Sequence, residues 1–312
     1  MTFRSFAAIA LTLIGVLPGL GFAVERPAER PILVTDASST LGRAIVQRLA
    51  EENFYVYAGT RNVRDIATLD AKYNVSAIKL DVTIQDEIDA AVDYVSGQGQ
   101  GLWGVVNNSE LAIFLKMRNV DEEDIDLVFD VNVLGPFRIN KAFEPMLIAS
   151  GGRTTIVSST AGFVVGATGG LDSMSRFAVE AYTDAYASEM GVAGVHVSII
   201  EPGGFMSSDR HKHAPTMTGG PMAALTDEQR DQLRESGDDE MGKVAEAVLH
   251  SMSAEKPKRR YLLTSEMYAV MPIWVLIRRV AEINHDQPYE FSRDELVQML
   301  DRALAAYERM PD

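Results

Sequence analysis

Asp172 and Arg176 lie four positions apart in a segment with helical spacing, so their side chains share one face, with the acid on the N-terminal side. That is the favourable order for an intrahelical ion pair. A carboxylate beside a permanently charged guanidinium has no proton to donate. The pair therefore suits a structural link, or the binding of an anion at Arg176 or an amine at Asp172, and not general acid catalysis. A second group with chemical potential is Thr35-Asp36-Ala37-Ser38-Ser39-Thr40-Leu41-Gly42, which joins an apolar run to a helical pattern. A strand, a small-residue turn and a helix start can present backbone N–H groups to a phosphate. Here Asp36 adds a carboxylate and Thr40 a branched side chain, and the competing reading is a turn kept only for folding. His211 and His213 flank Lys212, but no third ligand accompanies them. They read as solvated loop residues, and no metal site is expected.

These groups need a scaffold to position them. Short Val- and Ile-rich runs at 32–35, 54–59, 75–80, 103–107, 154–158 and 195–200 alternate with helical patterns over 41–51, 62–71, 84–96, 121–149 and 172–190. Several runs are apolar throughout, as in strands covered on both faces. Strict alternation implies βαβ units with right-handed crossovers, and so an α/β fold with a doubly wound, Rossmann-like parallel sheet. Beyond Pro202 the pattern changes to a loop over 203–225 that carries Met206, Met217 and Met222. Thr226 with Gln229 resembles a capping box. A helix near 239–253, a strand over 260–263 and a helix opened by Ser292 with Glu295 and ending near Tyr307 complete a helical C-terminal extension, 203–312, of a single domain, 32–312. The most apolar run of the extension, 268–277, reads as core or subunit interface, or alternatively as a lid over a lipid-like ligand or a membrane-facing patch. The acidic runs 121–126 and 238–240 read as helix-start charges on solvated faces.

A chain of 312 residues with 46% hydrophobic and 23% charged content is enough for one large α/β domain. The net charge of -15 opposes a nucleic-acid partner and a polybasic hold on anionic lipid. The absence of Cys excludes disulfides, thiol catalysis and cysteine metal sites. At the N-terminus, Arg4 precedes an apolar run over 6–23 that contains Pro18 and closes on Gly21-Phe22-Ala23. A basic start, an apolar middle and a small-residue exit resemble a secretory signal peptide, with an uncleaved membrane anchor and an untranslocated apolar arm as alternatives. Residues 24–31 read as a tether. The expected location is exported or membrane-anchored.

Taken together, these segments resemble the short-chain dehydrogenase/reductase superfamily, in particular its branch of retinol and 3-hydroxybutyrate dehydrogenases. The resemblance spans residues 31 to about 207 and also rests on Asp81-Val82, Gly101-Leu102-Trp103-Gly104, Asn107-Asn108-Ser109-Glu110, Asp130-Val131-Asn132, Ser158-Ser159-Thr160-Ala161-Gly162 and Glu201-Pro202-Gly203. It implies a dinucleotide held by Thr35, Ser38, Leu41, Asp81, Val82, Asn107, Pro202 and Gly203, with Arg61 placed for the 2′-phosphate of NADP. It also implies a catalytic tetrad. Asn132 and Ser159 keep the family's Asn and Ser, Asp172 falls on the Tyr, and Arg176 falls on the Lys. Asp36 and Thr40 replace loop glycines, and Ser109 and Glu110 replace small residues beside the ribose. Tyr182 and Tyr186 stand roughly 15 and 21 Å along the helix from position 172, too far to substitute.

The expectation is thus a degenerate member of the superfamily with impaired catalysis and no, or weak, NADP(H) binding. It would hold a small apolar ligand or a partner protein, as a homo- or hetero-oligomer with a related subunit. The alternative is an active NADP-dependent oxidoreductase on an alcohol or ketone of lipid, retinoid or steroid type.

Overall fold

A computed structural model describes residues 30–166, 168–203, 241–264 and 266–309. The signal-like run, most of the tether, His211, His213, the loop methionines, Thr226 with Gln229 and the acidic run 238–240 lie outside the described residues.

The chain opens with β1 (Pro31–Val34), apolar and buried along its whole length. Then follow α1 (Thr40–Glu51), β2 (Tyr55–Thr60), α2 (Val63–Asp70), β3 (Val75–Lys79), α3 (Gln85–Gly97) and β4 (Gly104–Asn107). Next come α4 (Glu122–Phe129), α5 (Gly135–Ser150), β5 (Arg153–Val157), α6 (Gly170–Val192) and β6 (His196–Pro202). A helix over 241–253 (α7), β7 (Arg260–Leu263), α8 (Glu266–Asn284) and α9 (Arg293–Arg309) complete it. All strand pairings are parallel, in the order β3-β2-β1-β4-β5-β6-β7. Successive strands first run outward from β1 on one side, and then from β4 on the other. The crevice between β1 and β4 at their carboxyl ends is the switch point where such sheets place ligands.

Apolar side chains fill both faces of the sheet. On one side Ile45 and Leu49 of α1 and Val248 and Met252 of α7 close over Ile32, Val34 and Val56. On the other, Ile88 of α3, Ile139, Phe143 and Leu147 of α5 and Tyr186 of α6 close over Leu33, Tyr57 and Val105. Helix starts follow from capping residues. Ser39 accepts the Gly42 N–H at 3.0 Å, and Asn62 accepts that of Arg64 at 3.1 Å. Asp121 and Asp124 form a reciprocal capping box on α4.

Two segments differ from the sequence expectation. The helix expected over 121–149 divides at a π-helical turn, Asp130–Leu134. Pro136 follows at the start of α5. A proline has no N–H to give and crowds the carbonyl four residues back, so the ladder widens there. The core reading of 268–277 also does not hold. In α8, Val270, Ile273, Trp274 and Ile277 are exposed while Pro272 is buried. Ser292 and Glu295 do cap α9, the Ser292 N–H donating to Glu295 Oε2 at 2.8 Å. No described helix is long and apolar enough to cross a membrane.

The turn after β1 closes tightly. A Cβ on Gly42 would meet the Asp36 carbonyl oxygen, with the Ala37 Cα 2.9 Å away. Gly42→Ala is therefore expected to destabilise the fold by about 1–3 kcal/mol. Thermal unfolding of the variant, lower by several degrees, checks this.

Candidate functional site

The turn after β1 is held from two directions. Thr35 Oγ1 accepts the backbone N–H groups of Asn108 and Ser109 at 2.9 and 3.0 Å, locking β1 to the end of β4. Asn108 Nδ2 reaches back to the carbonyls of Thr35 and Asp36 at 3.2 and 3.3 Å. Asp36 takes φ +48°, the left-handed region a glycine would occupy freely and that Asp tolerates better than most residues. Its carbonyl also accepts the Ser39 hydroxyl at 2.8 Å. Ser38 Oγ accepts from Thr60 Oγ1 at 2.9 Å, tying the turn to β2. Leu41 packs against the α1 side of the core. Arg61, Asp81 and Val82 do gather beside this turn, and with Asp36, Ser109 and Glu110 they line a cavity of about 10 Å³. That is room for about one water molecule.

Asn107 is placed differently from its implied cofactor role. Its Nδ2 donates to Asn140 Oδ1 at 2.9 Å, inside the sheet–helix layer. The side chain is buried and ties β4 to α5. Pro202 closes β6. A Cβ on Gly203 would run into the Thr160 methyl, so this glycine lets the strand end lie against the turn after Ser159.

The four tetrad positions lie on α6 and on two turns that pack against it. Asn132 sits in the π-turn, with Oδ1 accepting the Leu111 N–H at 2.7 Å and Nδ2 donating to the Leu111 carbonyl at 2.8 Å and to Ser175 Oγ at 2.9 Å. Ser159 Oγ accepts the Ala161 N–H at 3.2 Å and opens a short 3-10 turn. Asp172 and Arg176 are buried near the start of α6. Arg176 Nε donates to Asp172 Oδ1 at 3.3 Å and Nη2 to Glu110 Oε2 at 2.7 Å. Nη1 reaches the Val157 carbonyl at 3.4 Å. The guanidinium therefore lies between two carboxylates contributed by β4's exit and by its own helix. Its side chain is 2% exposed, so it is satisfied from within the protein and not by water. Tyr182 offers no substitute acid. Its hydroxyl accepts from Asn140 Nδ2 at 3.0 Å, and burial pushes its pKa up to about 12.

A second, partly buried network lies next to Ser159. Ser158 donates to Glu180 Oε1 at 2.7 Å, and Arg260 Nη1 donates to both Glu180 and Glu201. Arg260 Nη2 bridges both oxygens of Asp184. Burial, and then the neighbouring Glu180 charge, push the Glu201 pKa up to about 7 against the pull of Arg260. Sequence reasoning missed this network and the role of Asn108. One signal was in reach, because Glu180 follows Arg176 by four positions and so shares its face of α6.

A family model described as short chain dehydrogenase matches residues 30–218. The chain belongs to that family. Over 275 residues it is 26% identical to the mitochondrial D-beta-hydroxybutyrate dehydrogenase of Bos taurus, covering 77% of this chain and 78% of the relative. It is 27% identical over 276 residues to retinol dehydrogenase 7 of Mus musculus, covering 80% and 87%. The crystal structure of a short-chain dehydrogenase from Streptomyces avermitilis superposes with a TM-score of 0.68 at 25% identity, covering 90% of this chain and 99% of that one. A Burkholderia cenocepacia short chain dehydrogenase in complex with NADP shares the fold, with a TM-score of 0.62 at 20% identity over 83% and 98% of the two chains.

In this chain the family's cofactor crevice carries three acidic residues, Asp36, Asp81 and Glu110, beside Arg61. At ~5 Å and an effective dielectric of about 20, a carboxylate that faced a phosphate charge would oppose binding by on the order of 3 kcal/mol.

Two outcomes test the electrostatics. Arg176→Met is expected to cost about 3–5 kcal/mol, because the buried Asp172 would lose its guanidinium partner. Denaturant unfolding reads that loss. Glu201 holds its proton more tightly folded than unfolded, so the folded chain binds more protons between about pH 4.5 and 7. Its contribution to stability is thus full at the acid end and falls, by about 2–3 kcal/mol, as pH rises through that window. Glu201→Gln, a standing mimic of the protonated group, should flatten that part of the stability–pH curve relative to the parent.

Proposed function

We propose that this family member does not interconvert alcohols and carbonyls. It uses the dehydrogenase scaffold to hold a small apolar ligand or a partner protein, and it takes NADP(H) weakly or not at all. The observation that carries this reading is the buried Arg176, paired with Asp172 and Glu110 at the positions where the family's resemblance puts a proton-donating Tyr and its Lys. Ketone reduction needs a group that can give a proton near neutral pH. Asp172 is engaged as an ion-pair acceptor, and Tyr182 is both remote and held protonated by burial. The acids lining the crevice weigh in the same direction.

The signal-like N-terminal run supports export or membrane anchoring, where a nicotinamide pool is not expected. Exposed Leu134 at the end of the π-turn and Phe137 and Ile148 of α5 support pairing with a second copy or a related subunit.

The test combines binding with turnover. NADPH titrated by calorimetry should bind no tighter than the high micromolar range. Retinoid, steroid and hydroxy-acid substrates should be turned over no faster than by an Asp172→Ala control. Micromolar NADPH affinity together with turnover above that control would refute the proposal. Replacing Asp36 and Glu110 by Gly should tighten NADPH by two or more decades if crevice charge is the obstacle.

A further inference from the structure

We infer a second ligand site, outside the tetrad cleft, that takes a small amphipathic carboxylate, an alkyl chain ending in an acid. Between α4, α6 and α8 runs an open groove of about 560 Å³, within the size range of small-molecule sites. Met117, Phe129, Met174 and Phe177 give it an apolar wall. Met174 and Phe177 point about 200° and 140° around α6 from Asp172, so the groove lies on the opposite face of that helix from the tetrad positions. The Ser173 hydroxyl, also on the wall, is already committed to the Val164 carbonyl at 3.2 Å.

The remaining polar group on this wall is Arg279 of α8. Its guanidinium stacks over the Phe177 ring, 4.8 Å from the centroid. Stacking occupies the flat face of a guanidinium and leaves the in-plane N–H edge free to grip a carboxylate with two parallel hydrogen bonds. The nearest acid along α8, Glu282, is taken by Arg278 at 2.8 Å, and among the described residues Arg279 has no ion-pair partner. In a chain of net charge -15, a cation left without an acid at the mouth of an apolar groove is the complement of an apolar anion. The anion end would meet Arg279 and the chain would cover Met174, Phe177 and Phe129. This site does not depend on whether the tetrad positions are active.

Sodium decanoate below its micellar concentration, titrated calorimetrically into the full chain with decan-1-ol as the neutral comparator, tests it. The expected result is saturable one-to-one binding of decanoate. Arg279→Gln should weaken decanoate at least tenfold and leave decan-1-ol unchanged, and Met174→Asp should weaken decanoate with Arg279 intact. Asp172→Asn should leave decanoate affinity unchanged, which separates this site from the cleft of the proposed function. Absence of saturable binding would overturn the inference. So would equal affinity for acid and alcohol, indifference to Arg279→Gln, or loss of binding in Asp172→Asn.

Discussion

A buried guanidinium needs anions close by, and the interior around Arg176 is organised by that need. The side chain extends from α6 into a dry space under the ends of β4 and β5, where an unpaired charge would cost several kcal/mol. Asp172 meets it from one turn earlier, Glu110 from the exit of β4, and the Val157 carbonyl from the end of β5. Arg176 is thus satisfied by two carboxylates and a carbonyl, all contributed from within the protein. Glu110 also borders the crevice beside the turn after β1, and the charge of the tetrad region therefore extends into the cofactor region. The two departures from the family's pattern belong to one electrostatic unit.

The scaffold around that unit is otherwise intact. Thr35, Asn108 and Ser39 still hold the turn after β1 in a closed form, and the π-turn still delivers Asn132 to the neighbourhood of α6. Such features serve folding as well as chemistry, because they satisfy buried backbone groups at the ends of strands. The Glu180–Arg260–Glu201 network shows the same division. It secures β6 and β7 to α6 beside Ser159, and the raised Glu201 titration would make the region's stability depend on pH near neutrality.

The C-terminal helices add surface where the sheet adds core. Residues of α8 that would suit a protein interior instead stand exposed, and the face of α6 turned away from the tetrad meets α8 across an apolar groove with a cation at its edge. The proposed second site and the tetrad positions thus lie on two sides of a single helix.

The sheet was legible from residue order alone, since apolar runs of strand length separated by helical periods leave few alternatives to a parallel α/β fold. The ion pair between Asp172 and Arg176 was legible too, because a spacing of four fixes a shared helix face without reference to anything distant. The division of 121–149 was less so, although Pro136 marked the place where a regular ladder must yield. What tertiary structure decided was every relation between segments far apart in the chain. Glu110 reaches Arg176 across 66 positions, and Asn107 turns into the layer between β4 and α5 instead of toward the crevice. Run 268–277 lies outside the core because α7 and the sheet's other helices already cover both faces. Periodicity reports which face of an element is apolar, but only the packed chain determines what that face meets.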